Sequence, residues 1–104
     1  MGNPETQLMH RIMTALSEHG CIVLRTNAGT YYTKDGVAVK IGFPGLSDLV
    51  GITPTGRFFA CEVKVPGQKP RENQLAFLEA VKKKGGIGIW ATSAEEAITK
   101  LYEN

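Results

Sequence analysis

At 104 residues, with 42% apolar and 21% charged positions, the chain has the length and composition of one globular domain with a modest core, residues 1–104. A net charge of +2 excludes a polycation, so any affinity for nucleic acid must come from clustered charge. No apolar run approaches the roughly 18 residues of a membrane span. No signal peptide is visible, and Cys21 and Cys61 lack metal-ligand spacing, so they read as buried thiols in a reducing, cytoplasmic compartment.

Asn3 and Pro4 open a first helix, as N-cap and first helical residue. Leu8, Met9, Ile12, Met13 and Leu16 form its apolar stripe, and Gly20 ends it. Glu5 complements the helix dipole in the first turn and also falls on the stripe that meets the core. His10 and His19, without metal spacing, read as surface residues.

Residues 21–27 read as a strand in which Arg25 and Asn27 alternate with apolar neighbours, which predicts one polar face. Asn27-Ala28-Gly29 and Lys34-Asp35-Gly36 are turn signals. A short strand over residues 37–41 carries Lys40, and Gly42-Phe43-Pro44-Gly45 is a loop. Residues 49–52 and 58–65 are the most strand-like runs, joined by Pro54-Thr55-Gly56. A polar loop leads to a helix over residues 70–84, with Leu75, Phe77, Leu78 and Val81 inward and Gly85-Gly86 as its stop. Lys82, Lys83 and Lys84 suit the negative end of that helix. Residues 87–91 form a strand, and Ser93 with Glu96 makes a capping box for a last helix ending near Tyr102. The order α-β-β-β-β-α-β-α predicts a mixed central β-sheet flanked by helices.

Charges inside the two most apolar strands need an explanation. A three-residue hairpin loop favours a type I turn followed by a left-handed residue, for which Pro54 and Gly56 are suited. Ile52 then faces Phe58, Val50 faces Ala60, and Asp48 faces Glu62. Two carboxylates so placed are roughly 5 Å apart at Cβ and repel each other. Lys64 lies on the same face, about 6–7 Å along the strand. Strands apolar on both faces are central and covered, so charges there must be paired or must bind a metal. Two readings are open. A divalent cation, Mg²⁺ or Mn²⁺, sits between Asp48 and Glu62 with Lys64 beside its water, or Glu62 and Lys64 form a buried ion pair while Asp48 caps the loop. Gln74, on the inward face of the helix after the loop, either reaches the same site or makes a capping contact.

These residues together resemble the PD-(D/E)xK nuclease superfamily, and within it the virus-type replication-repair nuclease (VRR-NUC) domain. The carriers are Glu5, G-F-P-G-L-S-D over residues 42–48, G-R-F-F-A-C-E-V-K over residues 56–64, Gln74, and G-G-I-G-I-W over residues 85–90. One departure is Ser47, where the superfamily motif has proline. The resemblance implies a restriction-endonuclease-like α/β fold and metal-dependent hydrolysis of DNA phosphodiesters. It implies Asp48, Glu62 and the Val63 carbonyl as metal ligands, Lys64 as the group that orients or activates water, and Gln74 as support. Glu5 is implied as a further acidic ligand, often through water. It further implies a homodimer acting on branched DNA such as a Holliday junction, with phage or prophage origin by family analogy. A less selective nickase or flap nuclease on the same site, or a non-catalytic DNA-binding subunit, are the alternatives. Arg11, Arg25, Asn27, Lys34, Lys40, Lys69 and Arg71 flank the site and are candidate phosphate contacts. Tyr31 and Tyr32 are candidates to stack on an exposed base, or hairpin or interface residues.

Overall fold

The computed structural model describes residues 3–103. Helix α1 (Pro4–Glu18) starts as expected, with the Asn3 side chain accepting the Thr6 N–H at 2.8 Å and Pro4 in the first turn. Strands β1 (Ile22–Arg25), β2 (Gly29–Tyr32), β3 (Ala38–Ile41), β4 (Leu49–Ile52) and β5 (Phe58–Val63) follow. Helix α2 (Glu72–Lys83), strand β6 (Ile87–Ala91) and helix α3 (Ala94–Tyr102) complete the chain. The predicted elements occur in the predicted order. One strand, β2, was not anticipated: Thr30, Tyr31 and Tyr32 favour extended backbone, and the Lys34-Asp35-Gly36 turn folds them onto β3.

The main sheet has the order β1-β4-β5-β6, antiparallel except for the parallel β5–β6 pair. β2 and β3 form a separate two-stranded ribbon. Helices α1 and α3 pack together on one face, where Leu8, Ile12, Leu16, Leu49, Phe59, Cys61, Val63 and Ile89 are all buried. Helix α2 lies on the other face, over β5 and β6. Gly88 is the point of closest approach: a Cβ there would stand 2.2 Å from the Leu78 carbonyl oxygen. Burial pushes the Cys61 thiol up to about 12, as expected of an inert core cysteine.

The hairpin register is the predicted one. Ile52 faces Phe58 and Val50 faces Ala60. Gly56 has φ +85°, its N–H donates to the Thr53 carbonyl, and Thr53 N–H donates to Arg57 O. Three details differ from expectation. Strand β5 ends at Val63, two residues early, because Pro66 and Gly67 turn the chain away. Leu75 is exposed rather than inward, since α2 presents only a narrow stripe, with Gln74 and Leu78 buried. The face of β1 opposite the core carries Ile22 and Leu24, both exposed, while Arg25 shares the core-side face with Val23.

Candidate active site

Asp48 and Glu62 stand where the β4–β5 ladder ends, on the α2 face. Each is tied to the other strand's backbone. Asp48 N–H donates to Glu62 Oε1 at 3.1 Å, and Val63 N–H donates to Asp48 Oδ2 at 2.9 Å. The preceding turn is held as firmly. Ser47 is buried, and its hydroxyl donates to the Leu49 carbonyl at 2.8 Å. Thr26 N–H donates to the Asp48 carbonyl, and Thr26 Oγ1 donates to the Ser47 carbonyl at 2.7 Å. Serine in place of the motif's proline thus has its hydroxyl satisfied and leaves Asp48 in position.

Glu62 is 2% exposed. Its Oε2 accepts from Gln74 Nε2 at 2.6 Å and lies 3.2 Å from Lys64 Nζ. Burial, and then the neighbouring Asp48 charge, push the Glu62 carboxyl up to about 7, while Lys64 and the Asp48 N–H pull it down. Gln74 fulfils both roles left open by the sequence. Its Oε1 accepts the Arg71 N–H at 2.8 Å, which caps α2, and its amide holds Glu62. Likewise the buried Glu62–Lys64 ion pair is present, with Asp48 beside it as a second carboxylate.

The position of α2 depends on the 42–46 loop. Gly45 has φ +94°, and a Cβ there would lie 2.5 Å from the Asn73 carbonyl oxygen. Phe43 packs edge-on against Phe77, with centroids 5.4 Å apart. Between this loop, the ribbon and the start of α2 opens a cleft of about 360 Å³. Asp48, Gln74, Arg71, Lys40 and Thr30 line it. Of the candidate phosphate contacts, Lys40 and Arg71 are therefore on the cleft wall. Arg25 faces Leu49 at the end of β1, one residue from Asp48 in the register. Asn27 adopts φ +54°, and its carbonyl accepts the Tyr31 hydroxyl. Lys34 is exposed at the ribbon tip and Lys69 in the loop before α2. Arg11 lies on α1 beside Ala94 and Glu95, away from the cleft.

Glu5 is exposed in the first turn of α1, which packs on the opposite face from Glu62. Among the described residues no group of three His, Cys, Asp or Glu side chains gathers, so Glu5 is not brought directly to the Asp48–Glu62 pair. Thr30 was missed from the sequence. Its signal was the Thr-Tyr-Tyr run before a strong turn, which makes a ribbon and a cleft wall rather than a loop. Among the described residues no helix is long and apolar enough to cross a membrane.

Comparisons with known proteins agree with this architecture. A solved structure described as a VRR_NUC domain is 23% identical and superposes with a TM-score of 0.70, covering 99% of this chain and 98% of that one. None of the curated proteins compared with the chain matches it. The VRR-NUC domain model matches residues 25–95, which contain Asp48, Glu62, Lys64 and Gln74. With more than half of its length matched, the chain belongs to the VRR-NUC domain family, a group of nucleases within the PD-(D/E)xK superfamily.

Proposed function

We propose that this protein is a Mg²⁺- or Mn²⁺-dependent, structure-selective endodeoxyribonuclease that works as a homodimer on four-way DNA junctions. The observation that carries the nuclease site is the reciprocal lock of Asp48 and Glu62, with Lys64 and Gln74 both directed at Glu62 Oε2. Nucleases of this family are typically metal-dependent. The donor set fits such an ion: two oxygen carboxylates on one face, with the Glu62 carboxyl held up by burial and by Asp48. Asp48, Glu62 and the Val63 carbonyl would hold it. A divalent cation there would lower the pKa of a water and offset charge on the phosphate.

The chain's own residues perform the rest. Lys64 orients the attacking water and stabilises negative charge on the phosphate oxygens. The water oxygen forms a new P–O bond as it gives up a proton to solvent, while the bond to the leaving sugar oxygen breaks and that oxygen takes a proton from solvent. Gln74 keeps the Glu62 carboxylate from rotating, because its amide is itself fixed by the Arg71 N–H. Lys40 and Arg71 on the cleft wall offer backbone phosphates sequence-independent contacts. Two cuts on a two-fold symmetric junction call for two symmetry-related sites.

The test is cleavage of four-way, flap, linear duplex and single-stranded DNA in Mn²⁺. Paired symmetric nicks on the four-way junction are expected. Equal cutting of linear duplex would replace junction resolution with a less selective nickase. Activity that persists in EDTA would overturn the metal-dependent mechanism, and binding without any cleavage would leave a DNA-binding subunit.

A further inference from the structure

Two apolar surfaces of this fold are left uncovered by the described residues. The first is half of a sheet face. Helix α2 packs over β5 and β6, so the part of the same face nearer β1 is left bare. Ile22, Leu24, Ile52 and Phe58 line up there across three strands, each between 43% and 62% exposed. The second is one side of the β2–β3 ribbon. Thr30 and Lys40 share the side that lines the cleft. Tyr31, Val39 and Ile41 share the other side by register, with Val37 at the turn, each between 43% and 60% exposed, and at the ribbon's base Ile41 also reaches the cleft. An isolated two-stranded ribbon is marginal in water, and every residue of this one is exposed.

We infer that the ribbon of one copy lies across the bare sheet face of a second copy, reciprocally about a two-fold axis. The inference deepens the homodimer reading above and rests on it. The occupant follows from area. The exposed parts of these eight side chains equal about four whole ones, or about 600 Å² per copy at about 150 Å² each. A standard interface buries roughly 800 Å² per partner, of which up to about 65% is apolar, or about 520 Å². Two unlike patches on one chain satisfy each other twice in a closed dimer, and neither is left over. Both patches adjoin the candidate site: Phe58 and Ile52 share the face of Glu62 and Asp48, and the ribbon's other side is the cleft wall. Docking the ribbon therefore also steadies the Lys40 wall of the cleft.

The experiment measures mass in solution and a directed cross-link. The unaltered protein should sediment at twice its 11.3 kDa chain mass. Leu24→Glu and Val39→Glu, both at exposed positions, should each weaken dimerisation by on the order of tenfold to a hundredfold. Tyr32→Glu, on the cleft side of the ribbon, should not. Leu24→Cys and Val39→Cys proteins, mixed and oxidised, should give a disulfide joining the two different chains. A dimer that survives both glutamate variants and gives no mixed disulfide overturns this surface while leaving the homodimer intact. A monomeric unaltered protein overturns the homodimer and this surface together, without touching the nuclease site.

Discussion

Replacing Lys64 by methionine keeps the apolar stem and removes the charge, so it separates the two roles of the Glu62–Lys64 pair. The ammonium lies 3.2 Å from Oε2, with the side chains 15% and 3% exposed. At an effective dielectric of 20 that attraction is about 5 kcal/mol before desolvation. Gln74 and the Asp48 N–H remain on Glu62, and water reaches Lys64, so the net loss should be about 2 kcal/mol. The loss has a sign in pH. Glu62 titrates near 7 in the folded protein, above its ordinary 4.5, and Lys64 holds it down. Below about pH 4.5 the carboxyl is protonated folded and unfolded, so Lys64→Met should cost little. The loss should set in as pH rises through about 7 and grow above it, because without Lys64 the carboxyl titrates higher still. Denaturant titrations at pH 4 and pH 8 without divalent ions measure this difference. Cleavage in Mn²⁺ should fall at least about a hundredfold while junction binding is retained. Equal destabilisation at both pH values would refute the coupling, and retained cleavage would remove Lys64 from the mechanism.

The unaltered protein should itself lose stability between pH 4.5 and pH 7.5. The raised Glu62 pKa contributes stability that is complete below 4.5 and lost through about 7, at most about 3 kcal/mol. Glu62→Gln should flatten that slope relative to the parent in parallel denaturation series. Mn²⁺ should restore stability at pH 8, and its apparent affinity should drop up to tenfold per pH unit below 7, measured by calorimetry. Gln74→Leu removes both the α2 cap and the hold on Glu62, so it should cost about 1–2 kcal/mol and slow cleavage, unlike the exposed control Asn73→Ala. Gly88→Ala drives a Cβ into the Leu78 carbonyl, so α2 must shift. A loss of more than about 2 kcal/mol in thermal unfolding is expected, with cleavage falling as Gln74 leaves Glu62.

Much of the site was legible in the chain because the hairpin signal is local. Pro54 and Gly56 set the turn, the turn sets the register, and the register carries through to the Asp48–Glu62 end of the ladder. Pattern alone left open whether the charges were an ion pair or a cation site, and Gln74 a cap or a site residue. The structure has the ion pair, and Gln74 makes both contacts at once, because one amide offers an acceptor to Arg71 N–H and a donor to Glu62. Glu5 could not be placed from periodicity, since a helix stripe says which residues face inward but not which face of the sheet receives them.

The sequence by itself determined the order of every element but β2, the β4–β5 register and the residues that meet at Glu62. These depend on turn chemistry and on period, which are properties of neighbours in the chain. Only the tertiary structure decided that α2 covers two strands and leaves the face of β1 bare, and that Thr30-Tyr31-Tyr32 folds into a ribbon with one wet and one apolar side. Coverage depends on where a helix lands on a sheet, and Gly88 fixes that landing by letting Leu78 approach β6. Ile52 and Phe58, in strands that read as covered on both faces, are therefore surface, because among the described residues no helix lies over that part of the face.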